Sequence, residues 1–519
     1  VDCSANAIIV AILDPDGPYD ANTQHHLHQL LIQVQQTAEV APGSVDKFID
    51  LLRRGVHTPH MAKRILIASA LGAITGEAEW FDLVFDDASS PHLSFEHRHA
   101  MMIHLNASLF LNRAKLAQDD HFRLEQVRLR TLFYQLVVEM EQALAQSSFA
   151  SAPAQSIDGR VVILTPQFLA PPHATTLRAI EYVRTLRDEL GKTPIIVESH
   201  PFQRVSPIAF VPPFSSNRNP NLRAIDRLDI GGQGVEYYRI ASETFTLSDL
   251  VQTTALISAL SPELVIAIGC PFISAEAAAL RFPTFAQPTI SSLPITRRAQ
   301  SFSWNAVTRE ERAVMERFGV ADRRLFHMHP GFSAPAETPP VSRADLGLPH
   351  GAFVFAVVGG RLDDEVDNRF LDLLESIVVQ PSAHIAMMGR FDRFDAVVGG
   401  RPRLSGRVSF LGYRNDLLAT LRTCNAFLNP NRTGGGRSGA YAQYAGLPVL
   451  SLRHGDVAST IGEENGCASY AEMTERALRL MSDPAEQAQG RAAALARSTE
   501  VIGVKRLVSR ILTEMNIAA

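Results

Sequence analysis

From residue 156 onward the chain repeats one pattern: a short apolar or β-branched run, a loop, a helix-length stretch, then another such run. Arg160-Val161-Val162-Ile163-Leu164, Pro194-Ile195-Ile196-Val197 and Leu264-Val265-Ile266-Ala267-Ile268-Gly269 carry it first. Runs at 353–358, 385–388, 408–411, 426–428 and 449–452 carry it again. Strands that are apolar throughout, rather than alternating, are what a parallel sheet covered on both faces requires. A Pro-rich hinge at 330–340 separates the two sets. Two parallel sheets joined by a hinge predict an α/β chain with two Rossmann-like domains facing across a cleft, ligand lying at the strands' carboxyl ends. The Pro-, Asn- and Gly-rich stretch 210–234 reads as a long surface excursion.

Before residue 150 the periodicity is helical. In 22–40, Leu27, Leu30, Leu31 and Val34 recur at spacings of three and four. Segments 48–52, 61–74 and 97–111 continue, and in 122–145 the residues Leu132, Phe133, Leu136, Val137, Met140 and Leu144 share one face, which reads as core. His25, His26 and His28 read as a solvated face. Ser147 to Ser156 (SSFASAPAQS) is a linker. The expected division is an all-α domain at 1–150, a Rossmann-like domain at 156–335, and a second at 341–519 with closing C-terminal helices.

Composition excludes several classes. The 519 residues carry 49 Lys+Arg against 54 Asp+Glu, a net charge of -5, so no broad basic surface for nucleic acid is expected. No apolar run reaches the roughly 20 residues that span a bilayer. Ala7-Ile8-Ile9-Val10-Ala11-Ile12-Leu13 stops at Asp14, and no Lys or Arg precedes it as in a secretory signal. Cys3, Cys270, Cys424 and Cys467 lie too far apart for a CxxC metal pair or a disulfide framework. A cytoplasmic enzyme of several domains is expected.

The richest chemistry lies in Asn429-Pro430-Asn431-Arg432-Thr433-Gly434-Gly435-Gly436-Arg437-Ser438-Gly439-Ala440-Tyr441-Ala442-Gln443-Tyr444-Ala445-Gly446-Leu447-Pro448-Val449. It reads as strand, glycine-rich turn, short helix and strand. Three successive glycines let backbone amides approach an anion, and a helix starting near Ser438 adds its positive end. Arg432, Arg437 and the Ser438 hydroxyl could complete a diphosphate cradle. A plain surface turn is the alternative.

This segment resembles the nucleotide-sugar site of GT-B glycosyltransferases, in the inverting group of the O-GlcNAc transferases and the bacterial protein N-glucosyltransferases. Gly436-Arg437-Ser438-Gly439 occupies that group's turn, and Ala445-Gly446-Leu447-Pro448-Val449 its exit. Arg343-Ala344-Asp345-Leu346-Gly347-Leu348-Pro349 is similar to the entry into its C-terminal domain. Gly455-Asp456-Val457-Ala458-Ser459 resembles an element beside the donor phosphates, with His454 preceding it. Phe410-Leu411-Gly412-Tyr413-Arg414 resembles the loop that holds the base, with Arg414 on the group's lysine. The similarity covers 340–465 well and 156–335 as topology. It implies a GT-B fold with the acceptor on the 156–335 side and the donor on the 341–519 side.

Two departures stand out. The group's lysine for the leaving diphosphate follows the first strand of the C-terminal half; here Arg361-Leu362-Asp363-Asp364-Glu365 stands there, so Arg361 is the cation on offer. The retaining group's paired glutamates fall on Thr433 and Tyr441, so that signature is missing. Asp363-Asp364-Glu365 reads as a solvated helix start rather than a metal motif.

The resemblance therefore implies a bacterial glycosyltransferase moving a hexose or N-acetylhexosamine from a UDP-sugar to a protein or glycan acceptor, by inverting transfer without metal or other cofactor. Thr433, Gly434, Gly435, Gly436, Arg437, Ser438, Gly439, Arg414, His454, Gly455 and Asp456 would hold the donor. Arg361 or Arg437 would neutralise the departing diphosphate. His173, in the loop after strand 161–164, faces the donor or acceptor, or else caps the next helix with Thr175 or Thr176. His200 and Cys270 close other strands and read as structural. His327 and His329 are two ligands short of a metal set. A retaining capsule or lipopolysaccharide glycosyltransferase, and a non-catalytic nucleotide-sugar-binding interaction protein, are the alternatives.

Overall fold

The computed structural model describes residues 21–40, 43, 45–112, 124–146, 156–170, 173–199, 208–214, 218–240, 242–320 and 324–518. Cys3, the 7–13 run, His200, and the proposed linker except Ser156 lie outside them.

Among the described residues six α-helices come first: α1 (Ala21–Val40), α2 (Asp46–Gly55), α3 (Met61–Thr75), α4 (Ala78–Ala88), α5 (Phe95–Asn112) and α6 (Arg130–Ala145). The stripe expected in 122–145 is core: Leu132, Phe133, Leu136, Val137 and Met140 are fully buried. Helix α5 begins where the Ser94 hydroxyl takes the His97 N–H, satisfying a main-chain donor of its first turn. The helices are not a free-standing cap. Their core includes Ile208, Phe210, Val211, Phe245, Ile273 and Ile295 of the following half, and the His28 ring bonds the Phe210 carbonyl at 2.8 Å.

The first sheet has the order β3-β4-β2-β1-β5-β6. Its strands are β1 (Ile157–Thr165), β2 (Thr193–Ser199), β3 (Ile225–Asp229), β4 (Gly234–Ile240), β5 (Pro262–Ile268) and β6 (Thr284–Gln287). All neighbours are parallel except β3 and β4. That hairpin corrects the expected 210–234 excursion. Gly231 and Gly232 turn it at φ +69° and +80°, conformations that suit a two-residue hairpin corner. Helix α7 (Ala174–Arg184) follows β1.

A short pair, β7 (Ser301–Ser303) and β8 (Leu325–His327), precedes the hinge. The second sheet is wholly parallel, in the order β11-β10-β9-β12-β13. Its strands are β9 (Phe353–Gly359), β10 (Ala383–Gly389), β11 (Val408–Phe410), β12 (Ala426–Leu428) and β13 (Val449–Leu450). Helices α8 (Gly436–Tyr444) and α9 (Gly455–Ile461) flank β13. The last helix, α10 (Val504–Glu514), returns to the first half: Leu507, Val508, Ile511 and Leu512 are buried in one core with residues of β1, β2 and β5 and of α7. The chain thus crosses between halves twice, and the crossings are tied together. Phe332 N–H donates to the Val501 carbonyl, and Gly503 N–H to that of Phe332, both at 2.8 Å.

Each sheet has one switch point, where the strand order reverses direction. It falls between β1 and β5 in the first sheet and between β9 and β12 in the second. Crevices at the carboxyl ends of such strands are where open α/β sheets bind ligands.

Candidate active site

The loops leaving the second switch point bring two predicted features together. Arg361 follows β9, and the glycine turn follows β12. Gly435 caps α8 with φ +96°, a left-handed backbone that a side chain resists, and an added Cβ would stand 2.6 Å from the Arg432 guanidinium. The N–H groups of Gly436, Arg437 and Ser438 open the helix and have no carbonyl one turn back; Gly439 N–H is the first to find one, on Gly435 at 3.1 Å. Ser438 Oγ donates to the Gly435 carbonyl at 2.7 Å and fixes the corner. The result is a set of oriented amides at the positive end of a nine-residue helix.

The turn lies on the seam between the halves. A Cβ on Gly436 would meet Asp456 Cβ at 3.0 Å and the rings of Phe332 and Trp304 at 3.3 Å. A Cβ on Gly434 would lie 3.3 Å from the Arg361 guanidinium and 3.5 Å from the Phe110 ring. Phe110 belongs to α5, so the helical segment reaches the turn as well. Sequence reasoning missed Phe110 because nothing in its neighbourhood marks it off from a helix-face aromatic.

The arginines have different surroundings. Arg432 is buried and turned inward: it donates to Asn429 Oδ1 (2.8 Å), Glu365 Oε2 (2.7 Å), the Val358 carbonyl (2.9 Å) and Ser438 Oγ (3.2 Å). It braces the turn from behind, which corrects its expected place in the cradle. It also corrects the solvated reading at Glu365, which is buried beneath it, while Asp364 is exposed as expected. Arg437 reaches across the seam to Glu181 on α7 at 2.6 Å, and its guanidinium lies 5.4 Å from the Phe332 ring centroid. Burial opposes its charge, but Glu181 wins and raises its pKa. Burial likewise opposes ionisation of Glu181, yet Arg178 and Arg437 hold its carboxyl below the usual range. Arg361 is the more open one: its side chain is 41% exposed and 3.2 Å from Glu365.

The remaining donor-side candidates are spread around the turn. The Thr433 hydroxyl donates to the Phe110 carbonyl at 3.5 Å. Gly455 (φ +77°) packs its α-carbon against the Arg432 carbonyl. Asp456 donates its N–H to the Thr433 carbonyl, while its carboxylate accepts from Ser291 N–H, both at 2.7 Å. Its Oδ1 thus ties the second half to the first. His454 is the extended residue before α9. Arg414 stands on the loop after the edge strand β11, gripped by Asp416 at 2.5 and 2.8 Å.

At the first switch point, loops after β1 and β5 enclose a cavity of about 120 Å³ with α5 as its wall. His99 and Asn106 of α5 line it together with Gln167, Thr175, Cys270 and Thr289. Burial pushes the Cys270 thiol up to about 12, which makes it no nucleophile. His99 is fully buried between the Phe95 and Phe245 rings, and burial lowers its pKa to about 3.

His173 is the N-cap of α7. Its Nδ1 accepts from Thr176 N–H at 3.4 Å and lies 2.9 Å from Thr176 Oγ1, which itself accepts from Leu169 N–H. A ring accepting at Nδ1 carries its proton on Nε2, and burial favours that neutral form. His173 can donate a hydrogen bond from Nε2 but cannot take a proton there. His327 and His329 lie edge to face at 5.4 Å, away from both crevices, with Glu500 and Arg506 beside them. Among the described residues no group of three or more His, Cys, Asp or Glu is placed to hold a metal ion. No described helix is long and apolar enough to cross a membrane.

Helix α5 touches both crevices, through Asn106 at one and Phe110 at the other. The carboxyl ends of the two sheets therefore face each other across the seam. Two Rossmann-like halves opposed in this way, preceded by an all-α segment, constitute a GT-B fold.

No protein-family model and no curated protein matches the chain. Among solved structures, HepE of Anabaena with UDP bound is similar with 15% identity and a TM-score of 0.49, over 68% of this chain and 99% of that one. A glycosyltransferase of Rickettsia africae is similar with 11% identity and a TM-score of 0.49, over 69% and 98%. An O-GlcNAc transferase of Thermobaculum terrenum is 14% identical with a TM-score of 0.45, over 100% and 99%. At such scores the fold assignment rests on the chain's own sheets and switch points.

Proposed function

We propose that this chain is a glycosyltransferase that moves a hexose or N-acetylhexosamine from a UDP-sugar to an acceptor, a protein by resemblance, with inversion and without metal. One observation carries the reading: the glycine turn at the second switch point presents the free amides of α8 to the seam, with Arg361 beside Gly434. Amides and an arginine together match a pyrophosphate, whose charge grows as the sugar departs.

In the proposed reaction the turn and α8 bind the diphosphate, and Arg361 neutralises the leaving group. Arg437 serves the same end indirectly, by locking α8 to Glu181. The cavity at the first switch point takes the acceptor group, and His173 positions it by donating from Nε2. Arg414, Asp416 and the β11 loop flank the base.

The test is intact-mass analysis of candidate acceptors after incubation with a panel of UDP-sugars, with and without EDTA. A mass gain of one sugar residue, unchanged by the chelator, supports the reading. UDP binding without turnover of any donor would instead make the chain a nucleotide-sugar-binding protein.

A further inference from the structure

Arg361 has few restraints from its own half. It is 41% exposed, and Glu365, its ion-pair partner at 3.2 Å, is shared with Arg432. The other restraint comes from the N-terminal helices. The Arg361 guanidinium carbon lies 4.7 Å from the centroid of the Phe110 ring, within the range of a cation–π contact. The same ring is what a side chain at Gly434 would meet. Phe110 lies near the end of the described span of α5. Its carbonyl takes the Thr433 hydroxyl at 3.5 Å.

We propose that Phe110 is a positioning residue for Arg361: its ring seats the guanidinium over the glycine turn, so the donor side is complete only with α5 in place. This rests on the function proposed above and extends it, because it makes the helical segment a participant in donor turnover rather than in acceptor capture alone. His99, Met102, Ile103 and Asn106 line the acceptor-side cavity, and Phe110 follows Asn106 by one turn on the same helix. A single rigid element thus sets both the cavity wall and the cation.

The experiment uses the full chain and no acceptor. Hydrolysis of UDP-glucose and UDP-N-acetylglucosamine, with UDP affinity by calorimetry, is compared among wild type, Phe110→Leu, Phe110→Tyr, Arg361→Ala and the double variant Phe110→Leu/Arg361→Ala. Phe110→Leu should lower kcat about tenfold with KM nearly unchanged, and Phe110→Tyr should restore it. In the Arg361→Ala background the leucine should cost nothing further, because there is no guanidinium left to seat. Wild-type kcat in Phe110→Leu, or losses that multiply in the double variant, would overturn the role of Phe110 while leaving the proposed function standing. Should the wild type hydrolyse neither donor, the same variants are compared on the donor and acceptor that the intact-mass panel selects; turnover of no donor with any acceptor overturns the function itself. Should the leucine variant not fold, Phe110→Met makes the same comparison.

Discussion

Side-chain exposure around the glycine turn rises from 4% for Arg432 to 24% for Arg437 and 41% for Arg361, and each value goes with a different task. Arg432→Ala takes away the nearer partner of buried Glu365, leaving only Arg361 at 3.2 Å, and should cost about 3 kcal/mol, read from urea unfolding. Arg361→Ala should instead leave stability within about 0.5 kcal/mol while turnover falls roughly 10²–10³-fold, the scale for losing a group that meets developing charge. Equal losses in both would make Arg361 structural. Gly435→Val should weaken UDP binding by about a hundredfold in calorimetry, since both its φ of +96° and the Arg432 guanidinium oppose a side chain; unchanged affinity would remove the turn from the site. The residue types of this site were legible in the sequence, but the sorting of the arginines was not. Glu365 lies 67 residues from Arg432, and Glu181 lies 256 from Arg437, so no local pattern could assign the pairs. The capping alternative for His173 was legible, because Thr176 stands at the spacing a cap needs.

At the scale of elements, continuous apolar runs announced β1, β2, β5, β9, β10 and β12, since a strand buried on both faces has no polar alternation to obscure it. The β3–β4 hairpin escaped notice because Ile225-Asp226-Arg227-Leu228-Asp229 is an exposed edge strand, Ile225 itself being 71% exposed. The element with the most unexpected reach is α5, whose sequence marks it only as a helix. It also carries two histidines held neutral. Burial lowers His99 to about 3, and burial with nearby His28 lowers His104 to about 4, against 6.5 in an exposed ring. Their contribution is complete above pH 6.5, where the unfolded rings are neutral too. As pH falls toward 4 the unfolded chain takes up protons that the folded one refuses, and stability drops by up to about 1.4 kcal/mol per pH unit for each ring. Urea midpoints measured between pH 7.5 and 5 should therefore fall in the wild type and fall less in His99→Phe, which keeps the stacking with Phe95 and Phe245. Parallel curves would mean that His99 is protonated in the folded protein.

At the scale of the molecule, contacts from three segments converge on one turn: Phe110 from the helices, Trp304 and Phe332 from the first half, and Arg361 from the second. The chain order of helices, sheet, hinge and sheet could be read from texture and punctuation. The return of α10 to the first sheet could not, because an amphipathic helix does not encode which sheet it covers. The proposed function stands or falls on whether the amides opening α8 bind a pyrophosphate. Crystals of the full chain soaked with UDP test it most directly. The diphosphate should lie within hydrogen-bond distance of the Gly436, Arg437 and Ser438 N–H groups, with the Arg361 guanidinium alongside; a diphosphate bound elsewhere, with those amides untouched, would remove the turn from the donor site.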